Sequence, residues 1–256
     1  MKIGAYQFPV SGNMEENASH IESAIHQAHN AGIQLLVFPE CAMTGYPPHC
    51  IKSSSDVDFD LLDRMFQRVQ ALSVQDSMYI ILGSITKKET GYYNSALVFE
   101  PGGGIGSYDK RALWGWDRDN FSQGQSPGVF EIGQMKVGIR ICFEVRFPEF
   151  FRELYKESTT LNVILFYDTS NQPNDSRSAL IKGHIQTRAV ENVCSILSVN
   201  AASPYQTAPT ALFGCSGEML CELTPGKEGL LLYDFQPSPL NFGELGRKEI
   251  TDSLLP

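Results

Sequence analysis

Cys142 ends the apolar run VGIRIC, and a helix signal opens a few residues later at Phe147-Pro148. A thiol between a strand end and a helix N-terminus lies where backbone N–H groups converge. That position lowers a thiolate pKa and offers donors to an oxyanion. This is the chemistry of a nucleophile, although a packed structural cysteine fits the same segment. Glu40 follows Pro39 just past another apolar run, and Lys110 ends a short extended stretch. Taken one at a time, both read as solvated charges. Gly124-Gln125-Ser126-Pro127-Gly128 matches the serine-hydrolase pattern GxSxG. In that elbow the residue after the serine must donate its N–H to the oxyanion, and Pro127 has none. Gly102, Gly103, Gly104 and Gly106 lack the Gly-Lys-Ser/Thr of a phosphate loop. His20, His26 and His29 fall at offsets of six and three, not the i, i+4 pair of a zinc helix. No metal site is expected.

The elements that must position these residues alternate between helix and strand. Asn13 and Glu16 read as a capping box opening an amphipathic helix through Ile21, Ala24, Ile25 and Ala28 to Gly32. Residues 34–38 read as a buried strand stopped by Pro39, so Glu40 sits just past a strand end. Residues 58–72 read as a helix, 79–85 and 94–99 as strands, and 129–142 as two strands around Gly133. A helix over 147–157 with Pro148 near its start follows the cysteine directly. A strand at 163–166, a helix at 178–192, a strand at 193–199 and a hairpin around Gly217 complete the pattern, with an irregular tail from about 237. No linker or repeat divides the chain, so a single domain over residues 1–256 is expected, of the α/β class with helices outside a pair of sheets.

Composition excludes several function classes. With 42% hydrophobic and 19% charged residues, a sizeable core is available. A formal charge of -9 gives phosphate backbones no electrostatic footing, so nucleic acid is not an expected partner. No long apolar segment suits a membrane span or a secretory signal, and a cytoplasmic location is expected. The six cysteines, at 41, 50, 142, 194, 215 and 221, form no CxxC pair, so neither a disulfide framework nor a zinc site is expected.

Three separated segments, LLVFPECAMTGYPP, YDKRALWGWDRDNFSQG and VGIRICFEVRFPEFFREL, occur in that order. Together they resemble the nitrilase, or carbon-nitrogen hydrolase, superfamily. Its glutamate follows an apolar strand as in Phe38-Pro39-Glu40, and its lysine stands in a Tyr-x-Lys motif as in Tyr108-Asp109-Lys110. Its cysteine precedes Arg-Phe-Pro-Glu as at residues 146–149. Thr187-Arg188-Ala189-Val190-Glu191-Asn192 looks like the family's Arg-Ala-x-Glu-Asn helix, so the resemblance covers nearly the whole chain. It implies a four-layer αββα sandwich of mixed sheets, a homodimer or higher homo-oligomer, and hydrolysis of a small amide with no cofactor.

On this resemblance Cys142 is the nucleophile, Glu40 the general base, and Lys110 with the backbone N–H of Phe143 the oxyanion stabiliser. The chain departs from the family where a second glutamate usually follows the lysine. Here that loop offers only Asp119 and Asp117, of which Asp119 is ranked first. Ala112 also replaces the usual histidine after the lysine motif. The Cys-x-x-x-Arg-Phe-Pro-Glu segment looks most like omega-amidases acting on dicarboxylate monoamides. A carbamoyl-amino-acid hydrolase, a nitrilase and a catalytically silent dimeric scaffold are the alternatives. Arg146, and more weakly Arg118, would hold a substrate carboxylate. Tyr46, Trp114, Trp116 and Asn171 are candidate substrate contacts.

Overall fold

The computed structural model describes residues 1–237 and 239–255. Its first half runs β1 (Lys2–Gln7), α1 (Met14–Asn30), β2 (Leu35–Val37), α2 (Phe59–Gln75), β3 (Tyr79–Lys88), β4 (Gly91–Phe99), β5 (Ile105–Asp109) and α3 (Trp116–Asn120). Its second half runs β6 (Val129–Ile132), β7 (Met135–Ile141), a 3-10 turn over Cys142–Arg146, α4 (Pro148–Lys156), β8 (Leu161–Phe166), α5 (Asp175–Asn192), β9 (Ser195–Asn200), β10 (Ala211–Phe213), β11 (Met219–Glu222), β12 (Gly229–Asp234) and α6 (Phe242–Leu254). One sheet has the order β12-β1-β2-β3-β4-β5 and the other β11-β10-β9-β8-β7-β6. Each is built around three parallel strands, β1-β2-β3 and β7-β8-β9, extended by antiparallel neighbours.

Side-chain alternation along the strands creates the layers. In β2 and β3, Leu35, Val37 and Ile81 face the other sheet, while Leu36, Ile80 and Leu82 face α1 and α2. In β8, Leu161, Val163 and Leu165 join the core between the sheets, while Ile164 and Phe166 pack with Phe151 and Leu154 of α4 and Ile181 and Ile185 of α5. Strands buried on both faces read as continuous apolar runs because the crossover helices cover the outer faces. The result is the expected four-layer αββα sandwich with mixed sheets and outer helices.

Two local readings are corrected. Asn13 caps α1 by accepting from the N–H groups of Glu15 and Glu16, but Glu16 does not return the bond. Its carboxylate instead accepts from the Ser11 hydroxyl, which also takes the Asn13 N–H. The segment expected as an irregular tail from about 237 contains helix α6. Asn241 accepts from Glu244 N at 2.9 Å and Glu244 accepts from Asn241 N at 2.8 Å, a complete capping box. Gly243 and Gly246 weaken the local helix signal, and Phe242, Leu245, Ile250 and Leu254 are exposed, so α6 lacks the apolar buried stripe that marks a helix in sequence. No helix among the described residues is long and apolar enough to cross a membrane.

Candidate active site

Glu40 leaves the carboxyl end of β2, a strand that ends because Pro39 cannot donate to the ladder. The turn after it presses on β3 at Gly83, where a Cβ would lie 2.0 Å from Pro39 O and 2.8 Å from Glu40 Cα. Only glycine allows this approach. Glu40 is 1% exposed, and its oxygens meet three donors. Oε1 accepts from Lys110 Nζ at 2.8 Å and Asn94 Nδ2 at 2.7 Å, while Oε2 accepts from Tyr167 N at 2.8 Å. Tyr167 follows β8 of the opposite sheet, so the carboxylate is held by both sheets. The next residue, Asp168, is locked by a two-point bond to Arg177 at 2.7 Å and 2.7 Å.

Lys110 follows β5 and is anchored through its backbone: its N–H donates to Asn94 O at 2.8 Å and its carbonyl accepts from Gly124 N at 3.0 Å. A Cβ at Gly124 would lie 2.0 Å from Asp109 O. The first glycine of the GxSxG pattern therefore serves close packing against the lysine segment, and Ser126 is exposed. Lys110 is 1% exposed, with Nζ 2.8 Å from Glu40 Oε1 and 2.8 Å from Asp117 Oδ2. Asp117 lies in the first turn of α3, and its other oxygen accepts from the Tyr46 hydroxyl at 2.8 Å. The structure thus brings Asp117, and not the first-ranked Asp119, to the lysine. The short turn of α3 aims Asp117 inward at the ammonium and leaves Asp119, two residues on, exposed.

Cys142 opens the 3-10 turn after β7 with φ of 47°, a left-handed conformation rarely adopted outside glycine. The elbow is held by Glu144, wholly buried two residues later. Glu144 Oε2 accepts from Ile141 N at 2.7 Å, and Oε1 accepts from the Tyr108 hydroxyl at 2.8 Å, Arg111 N at 2.7 Å and Ala112 N at 3.3 Å. One carboxylate thus ties the segment bearing Cys142 to the segment bearing Lys110. Beneath it, Arg140 is fully buried, donating to Phe150 O at 3.1 Å and 2.6 Å and to Pro127 O at 2.8 Å.

The electrostatics follow from burial and neighbours. Burial lifts the Glu40 carboxyl above the usual carboxylate range; Lys110 opposes the rise and Asp117 adds to it. Burial also pushes the Cys142 thiol well up, aided by Glu40 and opposed by Lys110, the opposite of the lowering expected from its place between strand and helix. Burial pulls the Lys110 ammonium down, but Glu40 and Asp117 outweigh it and hold the group well above its ordinary value. A thiol and a carboxylate with raised pKa values and a cation held by two carboxylates thus act on one another.

The remaining expected contacts divide. Tyr46 is at the site through Asp117, and its ring stacks on Tyr167 with centroids 5.3 Å apart. Phe143, Phe147, Trp114, Arg111 and Arg118 line a cavity of about 590 Å³ beside the cysteine turn. Trp116 meets His49 edge-on at 5.1 Å. The Arg146 guanidinium lies 5.5 Å over the Phe143 ring, and that of Arg118 lies 4.9 Å over Trp114. Asn171 is exposed in the loop before α5 and does not line that cavity. Sequence reasoning missed Asn94, a lone amide inside the apolar strand NSALVF, and Glu144, an acid two residues past the cysteine.

A family model described as carbon-nitrogen hydrolase matches residues 2–241. A nitrilase from Pyrococcus abyssi is 33% identical over 153 residues, which is 55% of this chain and 54% of the relative. An omega-amidase from Bos taurus is 29% identical over 160 residues, 58% of this chain and 56% of the relative. The matched stretches thus span about half the length of these two curated relatives. Among solved structures, a mutant of the amidase from Nesterenkonia sp. AN1 aligns with a TM-score of 0.82 at 22% identity over 100% of both chains. A variant of that amidase in complex with butyramide aligns with a TM-score of 0.81 at 22% identity, covering 100% of this chain and 97% of that one. At such identity the likeness is one of fold.

Proposed function

The chain belongs to the carbon-nitrogen hydrolase family of the nitrilase superfamily, and we propose that it is a thiol amide hydrolase in which Cys142 is the nucleophile, Glu40 the general base and Lys110 an oxyanion donor. The observation that carries this reading is the buried Lys110 ammonium, 2.8 Å from Glu40 and 2.8 Å from Asp117, whose charge is felt at Cys142. An ammonium has three N–H donors; one is given to Glu40 Oε1 in a hydrogen bond, and Asp117 is paired through charge without a hydrogen bond. An N–H of the ammonium is thereby left for a substrate oxygen.

In the proposed cycle Glu40 takes the Cys142 proton, and the thiolate attacks the amide carbon. The carbonyl oxygen becomes an oxyanion held by Lys110 and the Phe143 N–H. Glu40 returns the proton to the nitrogen, the C–N bond breaks, and ammonia leaves behind a thioester. Glu40 then draws a proton from water, whose oxygen attacks the thioester. The carboxylic acid departs as the proton returns to the thiolate. Asp117 holds the lysine in place, and Asp119 has no part.

For the substrate, we favour a dicarboxylate monoamide, as in omega-amidases. Arg118 lines the cavity with Arg111, where a second carboxylate would seek a cation, while Arg146 lies over the Phe143 ring without lining it. A short apolar monoamide is the second reading, favoured by the aromatic lining of the same cavity. The test is ammonia release from 2-oxoglutaramate, succinamate, butyramide and N-carbamoyl-β-alanine, for wild type beside Cys142→Ala. Turnover of the two acidic monoamides alone, abolished in the variant, supports the first reading, and turnover of butyramide alone supports the second. Ammonia release that persists in Cys142→Ala, or silence across the panel, overturns the thiol mechanism.

A further inference from the structure

We infer that Asn94 is a positioning residue for the base: with Lys110 it fills both lone-pair directions of Glu40 Oε1, so that the proton taken from Cys142 is carried on Oε2. This rests on Glu40 being the base, as proposed above. A carboxylate oxygen offers two lone-pair directions. At Oε1 they are taken by Asn94 Nδ2 at 2.7 Å and Lys110 Nζ at 2.8 Å; at Oε2 one is taken by Tyr167 N at 2.8 Å, leaving the other open. In the transfer the Cys142 S–H bond breaks and an O–H bond forms at Oε2. That hydrogen later passes from Oε2 to the departing nitrogen.

Asn94 is suited to the task on three counts. It is 1% exposed on β4, so water cannot replace its amide. Its carbonyl accepts the Lys110 N–H at 2.8 Å, so one residue fixes both the base and the segment bearing the cation. Its Oδ1 has no partner, so the bond to Glu40 alone orients the amide, and the flipped amide would turn an oxygen toward the carboxylate. The groups facing Glu40 from the surrounding elements are Lys110 after β5, Asp117 of α3, Cys142 after β7, Tyr167 after β8, and Cys41 and Tyr46 of its own loop. Beside them Asn94 is the neutral side-chain donor to Glu40 and acts by favouring the ionised carboxylate.

The test is the pH dependence of Cys142 alkylation by iodoacetamide, followed by peptide mass spectrometry, in wild type, Asn94→Leu, Asn94→Ser and Glu40→Gln. Leucine keeps the volume without the donor, and the serine hydroxyl is too short to reach Glu40. The wild-type rate should fall on acidification as Glu40 takes up a proton. Both Asn94 variants should move that midpoint up by about one pH unit, a tenfold weakening of carboxylate ionisation. Asn94 profiles superimposed on the wild type, with Glu40→Gln slow at every pH, would overturn the role of Asn94 and leave the base intact. A Glu40→Gln that alkylates at the wild-type rate would instead overturn the base and the inference with it.

Discussion

Two buried glutamates serve the cysteine turn, Glu144 from within it and Glu40 from the other sheet, and their surroundings differ in kind. Glu144 meets four neutral donors: three backbone N–H groups and the Tyr108 hydroxyl. Glu40 meets a cation, a side-chain amide and one backbone N–H, and it faces a thiol. A carboxylate spent on backbone donors from two segments is a staple, since its loss orphans groups that water cannot reach. A carboxylate whose charge is set by a movable proton and a neighbouring cation is suited to carry that proton. Burial alone therefore does not distinguish structure from chemistry; the identity of the donors does.

The sharpest way to break this comparison is to neutralise each acid separately. Glu40→Gln keeps an oxygen for Lys110 but cannot accept a proton. Ammonia release should fall about 10³-fold, within the range for loss of a general base, while unfolding free energy falls by only about 1–2 kcal/mol as the amide NH2 meets the Tyr167 N–H. Glu144→Ala should do the reverse first, lowering unfolding free energy by roughly 3 kcal/mol or more through its stranded donors. Activity should follow only as the Cys142 elbow loosens. A Glu144→Ala protein as stable as wild type would erase the distinction between staple and proton carrier.

The pH profile sharpens the same contrast. Because burial raises the Glu40 pKa, catalysis should be fully present above that pKa and be lost as pH falls through it, at a pH above the usual carboxylate range. Asp117 contributes to the rise, so Asp117→Asn should move the acid limb of kcat/KM to lower pH. It should also cost about tenfold in rate by freeing the Lys110 ammonium from one of its two anchors. Asp119→Asn, at an exposed position, should change the rate by no more than about twofold. An acid limb that moves up in Asp117→Asn would show that the aspartate does not act on Glu40 through its charge.

How much of this was legible before folding depends on what each residue must do. Glu40 and Cys142 end apolar strands, and strand ends are marked by local rules, Pro39 in one case and the early Pro148 of the next helix in the other. The layer order followed from alternating elements and the family resemblance. Spacing from Lys110 does not choose between Asp117 and Asp119, because it does not reveal which way a five-residue helix turns. Asn94 and Glu144 act across 54 and 36 residues of chain, on Glu40 and through Tyr108, and no local pattern encodes such partners. Helix α6 lay beyond the periodicity argument because its large apolar side chains face outward, although Asn241 and Glu244 were readable as its cap.

The smallest expected effect tests whether the staple is graded. Tyr108 is fully buried, its hydroxyl donates to Glu144 at 2.8 Å, and the Arg140 guanidinium lies 5.4 Å from its ring. Tyr108→Phe removes one donor from Glu144 Oε1 but leaves the Arg111 and Ala112 N–H groups on the same oxygen. The carboxylate is therefore not orphaned, and the ring keeps its packing. Unfolding free energy in urea should fall by about 1 kcal/mol, the net worth of one hydrogen bond, and ammonia release should change by less than about threefold. A loss as large as that of Glu144→Ala would mean that the hydroxyl, and not the backbone donors, holds the two segments together. The contrast between the two glutamates would then rest on Tyr108.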